Sequence, residues 1–314
     1  MAAIVVTYRS ADVIGPCLES LLAQDHPNLS VIIVDNASPD DTAARVCGIM
    51  QERDASFIAA PFYAGRLPKV LLIRAPFNRG FAAGCNIGLE IALATRSISL
   101  FWLINPDCEA DPGCASAYAQ MAEQSGNWGL LGGRTCYAEE PALVQSDGGQ
   151  IGPWTAVCRN VNQGLSPAQA SPPPARSLDY FSGANVVASR TFVDQAGPMA
   201  EDYFLYYEEV DWALRRGDLA LIPCPAAIVR HRAGSAAGSG AVGRQPSAFS
   251  NYFNYRNRLR FAARHRPASL PGAYLYSMLK IGHLAANGYR AEAAGALRGL
   301  HGLPPNRAMQ ALMA

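Results

Sequence analysis

A pair of polar residues, Asn105 and Asp107, follows an apolar run of the sequence and is the first candidate for chemistry. The run, residues 101–104, reads Phe-Trp-Leu-Ile and predicts a strand that is buried on both faces. Pro106 has no backbone N–H to donate, so it ends the strand. A carboxylate at the carboxyl end of such a strand lies where open α/β sheets bind ligands, and it suits a Mg²⁺ or Mn²⁺ that also binds a diphosphate. An Asx-Pro turn without a function is the alternative.

The residues before this strand predict the frame that would hold Asp107 in place. Apolar runs at 4–7, 31–34, 70–73 and 100–104 predict buried strands, and the second run leads directly into Asp35. Helical spacing of apolar residues over 12–24, from about Thr42, and over 82–94 places helices between these strands. Alternating strands and helices indicate an α/β fold with parallel strands and right-handed crossovers.

The pattern changes after Asp107. Residues 132–157 predict irregular β structure, residues 166–176 a Pro-rich surface loop, and residues 180–189 a return to β structure. A helical core within 202–216, a strand at 219–222 and a basic helix over 249–264 follow, and from Leu270 we expect one or two amphipathic helices. Residues 233–243, rich in Gly, Ala and Ser, predict either a lid over a bound ligand or a passive linker.

Length and composition exclude several classes of protein. The chain has 314 residues, 50% of them hydrophobic, which suits one large domain or a domain with an appendage. A net charge of +1 gives no reason to expect nucleic acid as a partner. Eight cysteines without a CxxC pair predict free thiols in a reducing cytosol. Since neither a signal peptide nor an apolar run of about 18 residues is present, we expect a cytoplasmic protein without a membrane-spanning helix.

Seven short motifs, in this order, resemble those of the inverting glycosyltransferases of family 2, which have the GT-A fold. They are Val-Val-Thr-Tyr at 5–8, Val-Asp-Asn-Ala-Ser at 34–38, Asn-Arg-Gly-Phe-Ala-Ala-Gly-Cys-Asn-Ile-Gly at 78–88, Ile-Asn-Pro-Asp at 104–107, Gly-Ala-Asn at 183–185, Phe-Leu-Tyr-Tyr-Glu-Glu-Val-Asp-Trp at 204–212 and Arg-His-Arg-Ala-Gly-Ser at 230–235. The resemblance is greatest to bacterial rhamnosyltransferases and runs from about Ala3 to about Arg264. Any one motif is weak, but their order is specific.

The resemblance implies a domain organisation. Residues 1–264 would form the GT-A domain, a Rossmann-like nucleotide-binding mixed sheet flanked by helices. Its nucleotide-binding half would be residues 1–110 and its acceptor-binding half residues 111–264. Residues 265–314 would form a C-terminal helical extension.

The resemblance also implies a nucleotide site at the first strand ends. Asp35 would accept a hydrogen bond from a uracil or thymine N3–H or from a ribose hydroxyl, although an N-cap role is its structural alternative. The other nucleotide-binding residues would be Thr7, Tyr8, Arg9, Asn78, Gly80, Asn105 and Asp107, and among them Arg9 could pair with phosphate.

Asp107 matches the last Asp of the DxD motif of the family, and Asn105 stands where its first Asp would be. His231 matches a downstream His that serves as a second metal ligand. The implied cofactor is a divalent cation, Mg²⁺ or Mn²⁺, that bridges the diphosphate and offsets charge on the departing nucleotide. A partly buried structural histidine is the alternative for His231.

Glu209 lies where the family has its general base, which takes a proton from the acceptor hydroxyl as that oxygen attacks the anomeric carbon. Glu208 is the second candidate. Residues implied at the donor and acceptor sugars are Gly183, Asn185, Trp154 and Asp211. Asp211 could also cap or orient, with Arg215 as its i,i+4 partner, and a charged, solvated helix start is its structural alternative. For Trp154 the alternative is ordinary packing.

A basic cluster with interspersed aromatic residues occupies the end of the predicted domain. It comprises Arg256, Arg258, Arg260, Arg264 and Arg266. Such a surface, continued by apolar residues from Leu270, suits an anionic membrane and a lipid-linked acceptor, which predicts a peripheral position at the inner face of the cell membrane. A helix packed on the domain and a homodimer contact are equal alternatives.

Taken together, the motifs predict an inverting glycosyltransferase that uses a dTDP or UDP sugar. We expect transfer of L-rhamnose from dTDP-L-rhamnose to a hydroxyl of a lipid-linked or growing surface polysaccharide. A UDP-sugar-dependent transferase of the same fold and a non-catalytic module that binds sugar nucleotides or glycans remain open. A Rossmann dehydrogenase is excluded, because residues 8–12 contain no G-x-G-x-x-G motif after the first strand.

Overall fold

The structure, a computed structural model, describes residues 1–53, 55–140, 142–232, 238 and 245–313. Its strands are β1 Ala2–Thr7, β2 Ser30–Asp35, β3 Phe57–Ala60, β4 Val70–Arg74, β5 Leu100–Ile104, β6 Cys108–Ala110, β7 Trp128–Tyr137, β8 Val144–Ser146, β9 Gly149–Ile151, β10 Cys158–Asn160, β11 Asn185–Ser189 and β12 Ala220–His231. Its helices are α1 Ile14–Leu22, α2 Thr42–Gln51, α3 Phe81–Leu93, α4 Cys114–Gln124, α5 Arg190–Ala196, α6 Glu208–Leu214, α7 Ala248–His265, α8 Leu270–Ala286, α9 Arg290–Leu300 and α10 Arg307–Met313.

One mixed sheet runs through the molecule. In the described residues its order is β3-β4-β2-β1-β5-β11-β7-β12-β6, and β8 pairs with β7 outside this path. The strands β3, β4, β2, β1 and β5 are parallel, as the alternation of strands and helices predicts. Because β1 and β2 pair with Thr7 opposite Asp35, their carboxyl ends meet at one edge.

Successive side chains of β1 enter different cores, as expected of a strand buried on both faces. Ile4 and Val6 belong to the core that α3 covers, whereas Ala3 and Val5 belong to the core that α1, α2 and α4 cover. The sheet is therefore flanked by helices on both faces, which confirms the predicted α/β architecture.

The second half of the sheet brings distant residues to the same edge. β11 is antiparallel to β5, with Asn185 opposite Ile104, and β12 is antiparallel to β6 with His231 opposite Cys108. This last register places His231 beside Asp107, although more than one hundred residues separate them in sequence.

Helices after residue 264 confirm the predicted C-terminal helical extension, with three helices rather than one or two. Residues of α7, α8 and α9 form a small apolar core around Tyr255, Ile281 and Leu300. Met309 of α10 packs with Phe249 and Phe253 of α7. None of the helices that the structure describes combines the length and the apolar character that crossing a bilayer requires.

Candidate active site

A cavity of about 310 Å³ opens at the carboxyl ends of β1 and β5. Most of the residues that the sequence suggests for a site line it together: Tyr8, Arg9, Asn78, Gly80, Asn105, Asp107, Gly183, Glu208, Glu209 and His231. Thr7, Asp35, Asn185, Asp211 and Trp154 do not line it. The fold therefore gathers the strand ends, the acidic segment (residues 208–211) and the histidine of β12 around one space that could hold a small polar ligand.

Asp107 and His231 face each other on one wall of the cavity. Asp107 Oδ1 lies 3.2 Å from His231 Nε2, and Asn105 Nδ2 lies 3.4 Å from the same nitrogen. The other ring nitrogen, Nδ1, donates to Oε1 of Gln145 at 2.8 Å, because an amide oxygen can only accept. In a neutral ring Nε2 then carries a lone pair, which can accept a hydrogen bond from the Asn105 amide.

This pair fits a divalent cation. A carboxylate oxygen and an imidazole nitrogen are ligands that divalent metals accept, and phosphate and water oxygens could complete the shell. Cys108 offers a third ligand atom within 4.8 Å of the other two. Burial, together with the charge of Asp107, raises the pKa of the Cys108 thiol well above its ordinary value. The thiol therefore stays protonated and donates to the Ala184 carbonyl instead.

Glu208 and Glu209 lie at the start of α6 and line the same cavity. Glu208 is 2% exposed, and its Oε2 has no hydrogen-bond partner among the described residues. Burial, reinforced by the neighbouring charge of Glu209, raises the pKa of Glu208 well above its ordinary value. Burial also raises the pKa of Glu209, to about 7, because its own backbone N–H and that of Val210 offset only part of the desolvation.

A strained segment delivers the two glutamates. Phe204, Tyr206 and Tyr207 have φ values of 68°, 67° and 75°, a left-handed conformation that is costly for residues with a Cβ. Asn257 of α7, fully buried, donates from Nδ2 to the carbonyls of Tyr203, Leu205 and Tyr206 at 2.9, 2.7 and 3.0 Å. Helix α7 thus holds the backbone of residues 203–206, directly before the two glutamates.

Gly80 is required on the opposite side of this segment. It has φ +89°, and a Cβ at this position would lie 2.2 Å from the Phe204 carbonyl oxygen. The same oxygen accepts from the Phe81 N–H at 2.9 Å. The glycine at the start of α3 therefore allows the backbone before Glu208 to approach closely.

The end of the cavity that Asn36, Asn78 and Gly80 line contains a hydrogen-bond network that the motifs only partly predict. Asn36 donates to Asn78 Oδ1 at 3.1 Å and to the Gly80 carbonyl at 2.8 Å, while its own Oδ1 has no partner in the described part of the chain. Asp35 lies behind this wall and accepts from Thr7 Oγ1 at 3.3 Å. Arg9 donates to the Ala311 carbonyl of α10 at 3.2 Å.

Three residues that the sequence suggests for sugar contacts lie elsewhere. Asn185 is buried behind the site, where its Oδ1 accepts from Trp102 at 3.0 Å and from Tyr118 at 2.7 Å. Asp211 is 1% exposed and accepts from Arg215, Arg264, His265 and Tyr203. Trp154 is 74% exposed, and its backbone borders Gly272 of α8. The predicted pair of Asp211 with Arg215 is observed, at 3.1 Å, but the solvated helix start is wrong, because the carboxylate is buried among its donors.

The five arginines of the basic cluster all bind other groups of the protein, although Arg260 and Arg264 stay partly exposed. Arg258 is buried and donates to Tyr207 and Ser277. The others bind backbone or carboxylate oxygens in the segments 151–179 and 202–211, with contacts such as Arg256 to Asp202, Arg260 to Asp202, Arg264 to Asp211 and Arg266 to Asp179. Arg256, Arg258 and Arg260 connect α7 to the segment before Glu208, Arg264 also reaches Asp211 of α6, and Arg266 binds Asp179, so all five have partners within the protein.

The suggested lid at residues 233–243 lies, apart from Gly238, outside the described residues. The structure adds residues that no motif singles out: Gln145 beside His231, Asn257 beneath the acidic segment, and Leu312 in the cavity wall. Their roles depend on contacts between distant parts of the chain, so no local pattern announces them.

Comparison with known proteins identifies relatives. Residues 2–155 match the family model described as glycosyl transferase family 2. The chain is 25% identical to the N-acetylglucosaminyl-diphospho-decaprenol L-rhamnosyltransferase of Mycobacterium tuberculosis, over 83% of this chain and 84% of the relative.

Two solved structures show the same fold. TarS 1–349 of S. aureus, in complex with UDP-GlcNAc, superposes with a TM-score of 0.55 at 15% identity, covering 99% of this chain and 83% of that one. Mannosyltransferase PcManGT from Pyrobaculum calidifontis, in complex with GDP-Man and Mn²⁺, gives 0.53 at 16% identity, covering 99% and 77%. The predicted GT-A fold is confirmed.

Proposed function

We propose that this chain, a family 2 glycosyltransferase by its residues 2–155 and similar to a rhamnosyltransferase, moves one sugar from a nucleotide diphosphate to a lipid-linked glycan by an inverting reaction. The observation that carries the proposal is that Asp107 and His231 line the same cavity as Glu208 and Glu209. A group that can hold a diphosphate through a cation and a group that can accept a proton would thus act on one substrate.

The chain's own residues divide the work of binding. Asp107 and His231 would hold a divalent cation, which when bound offsets the charge of the diphosphate. Arg9, at the cavity wall, would pair with a phosphate oxygen once it leaves the Ala311 carbonyl. Asn36, Asn78 and Gly80 would form the nucleotide side, with the unpartnered Oδ1 of Asn36 as an acceptor for a ligand N–H or O–H.

The two glutamates would have different roles. A carboxyl group with a pKa of about 7 is ionised in a large fraction of molecules at neutral pH, so Glu209 suits the general base that accepts the proton of the acceptor hydroxyl. Glu208, whose pKa is raised further, would stay protonated and donate a hydrogen bond to a sugar oxygen. The attacking oxygen would displace the diphosphate from the opposite side of the ring, which inverts the anomeric centre.

We propose dTDP-L-rhamnose as the donor. The relative's name supports rhamnose, and the wall near Glu209 supports a 6-deoxy sugar. A Cβ on Gly183 would lie 3.1 Å from the Phe81 ring and 3.8 Å from the Glu209 Cβ, so an aromatic ring borders the place next to the base. An apolar ring there suits a methyl group better than a hydroxymethyl group.

We also propose that the acceptor carries a lipid and that α8 meets an anionic membrane. Tyr274, Leu275, Met278 and Leu279 are exposed on α8. Charged residues of 270–313 are mostly basic, Lys280, Arg290, Arg298 and Arg307 against Glu292. An apolar helix face with surrounding cations suits the boundary of an anionic bilayer.

A transfer assay tests the proposal. The chain is incubated with Mn²⁺ and an N-acetylglucosaminyl-diphospho-polyprenol acceptor, with dTDP-L-rhamnose, UDP-GlcNAc or GDP-mannose as the donor. We expect a product only from dTDP-L-rhamnose, with the opposite anomeric configuration by NMR, and none in the presence of a chelator. Product from a UDP sugar would correct the donor. Metal-dependent nucleotide binding without any transfer would favour a binding module.

A further inference from the structure

We infer that Gln145 is a positioning residue that fixes the ring of His231 in the tautomer able to bind the cation. The inference rests on the proposed function, because it concerns the same metal site. It starts from one contact: His231 Nδ1 donates to Gln145 Oε1 at 2.8 Å.

The backbone on both sides of Gln145 is held firmly. Gln145 is the central residue of β8, and its neighbours Val144 and Ser146 pair with β7 and are buried. Asp147 follows, in a buried ion pair with Arg134 at 2.8 Å. Because side chains alternate along a strand, Gln145 points away from the buried side of Val144 and Ser146, and it reaches the histidine of β12.

The contact matters because of what faces the other ring nitrogen. A neutral imidazole carries one N–H, and the amide oxygen of Gln145 accepts it at Nδ1. Without that acceptor the proton could move to Nε2, where Asp107 Oδ1 lies only 3.2 Å away. A hydrogen bond from Nε2 to Asp107 would occupy both proposed ligand atoms at once. Gln145 at Nδ1, together with the Asn105 amide at 3.4 Å from Nε2, therefore favours the state in which Nε2 carries no proton and can bind a cation.

Removing this acceptor should weaken metal binding. Loss of a partner that orients a ligating histidine typically costs about 10- to 100-fold in metal affinity. Gln145→Leu keeps most of the side-chain volume and removes the acceptor. Gln145→Glu keeps an acceptor at the same reach. Gln163→Leu is the matched control, because Gln163 is exposed and donates to Tyr137, a neighbour in the same region.

Two measurements test the inference. The first is the Kd of Mn²⁺ alone, from the EPR signal of the free ion. The second, without metal, is ¹⁵N NMR of His231, assigned by comparison with His231→Gln, at a pH at which the ring is neutral. We expect Gln145→Leu to weaken Mn²⁺ binding by about 10- to 100-fold and to move the proton to Nε2. Wild type, Gln145→Glu and Gln163→Leu should share the Nδ1–H tautomer and similar Mn²⁺ affinities.

The outcomes separate this inference from the proposed function. If wild type shows an Nε2–H ring, or if Gln145→Leu binds Mn²⁺ as wild type does, the positioning role is wrong while the metal site stands. If wild type has the Nδ1–H ring and Gln145→Leu loses it, but neither binds Mn²⁺, the role of Gln145 in setting the tautomer is supported. The metal dependence in the proposed function is then wrong.

Discussion

Glu208 and Glu209 are neighbours in sequence, yet the fold gives their carboxyl groups different surroundings. Glu208 is almost fully buried with one oxygen unpartnered among the described residues, whereas Glu209 is partly exposed to the cavity. Two close carboxyl groups cannot both ionise without cost, so their environments separate an acid from a base. The sequence alone leaves open which glutamate is the base, because it does not show how deeply each side chain is buried or where it points.

Replacement of each glutamate tests this division. Glu209→Gln removes the proposed base and should lower kcat by about 10²-fold or more while donor binding is unchanged. Glu208→Gln keeps a hydrogen-bond donor, so we expect a smaller loss. Since a base must be deprotonated, wild-type activity should rise with pH through about 7, following the raised pKa of Glu209. Steady-state rates of both variants from pH 5.5 to 9 give the comparison. A larger kcat loss in Glu208→Gln would reverse the assignment.

Asp211 shows a different use of an acidic residue of the same motif. Burial alone would raise its pKa, but hydrogen bonds from His265 and Arg264 and the charge of Arg215 outweigh it and hold the pKa below its ordinary value. A carboxylate with a lowered pKa in the folded state adds stability above its unfolded pKa, and this stability is lost as the pH falls through the folded pKa. His265, Arg264 and Arg215 thus stabilise the ionised form of Asp211, and this ionised form stabilises the folded state.

Asp211→Asn should therefore change the stability of the protein more than its catalytic rate. We expect the free energy of unfolding at pH 7 to fall by about 1–3 kcal/mol, because hydrogen bonds to a charged group are lost. The difference from wild type should shrink as the pH falls towards about 3. Urea unfolding at several pH values measures it, with Asp202→Asn, in a more exposed group that binds the same Arg264, as the control. If the variant is as stable as wild type but loses activity, Asp211 contacts the substrate.

At the scale of elements, the sequence predicts a strand or helix best where its own residues carry a clear apolar pattern. The strands β1, β2, β4 and β5 and helix α3 were all predictable, since each carries a continuous or periodic apolar pattern. β3 was missed, because Ile58 and Ala59 are exposed at the edge of the sheet and give no buried run. Helix α4 was also missed, because only Cys114, Ala115 and Tyr118 of it are buried.

For the site residues, too, local patterns could be predicted and contacts between distant segments could not. Motifs within a few residues of each other predicted Asp107, Glu208, Glu209 and Gly80, and the cavity contains all four. Partners that come from distant segments could not be read in this way. Asn257 holds carbonyls more than fifty residues away, and its only local feature is a position between two arginines.

Helix α10 adds a wall to the cavity from the far end of the described chain. Leu312 lines the cavity, Ala311 accepts from Arg9, and Met309 anchors the helix among aromatic residues of α7. Leu312→Trp should narrow the cavity and weaken UDP or dTDP binding by about tenfold, which corresponds to about 1.4 kcal/mol. Gln310→Trp, at an exposed position that does not line the cavity, is the matched control. Calorimetric titrations in Mn²⁺ compare them, and equal affinities would exclude α10 from the binding wall.

At the scale of the whole molecule, the arginines of α7 and the apolar residues of α8 have separate tasks. The sequence alone suggests that both contribute to one membrane surface. In the structure Arg256 and Arg258 join α7 to the segment before Glu208, and Arg264 joins it to Asp211 of α6. The helix α7 therefore contacts the residues on both sides of the proposed base. The apolar side chains Leu275 and Leu279 of α8, by contrast, are exposed.

Vesicle binding tests whether the exposed apolar face of α8 meets a membrane. Leu275 and Leu279 are 62% and 67% exposed and lie one turn apart, so they can enter a bilayer interface together. Leu275→Ser with Leu279→Ser should weaken binding to vesicles of anionic lipid by about tenfold or more, since each buried leucine contributes on the order of 1 kcal/mol or more. Phe62→Ser, at a position 77% exposed on another part of the surface, should leave binding unchanged.

The salt dependence and the mass of the protein separate the alternatives. Attraction between the basic residues of 270–313 and anionic lipid is screened by salt, so wild-type binding should weaken as salt is added, while neutral vesicles should bind weakly throughout. If the double variant binds vesicles as wild type does, α8 is not the membrane surface. If wild type is instead a dimer in solution that the double variant converts to a monomer, the apolar face of α8 joins two copies. The lipid-linked acceptor must then reach Glu209 by another route.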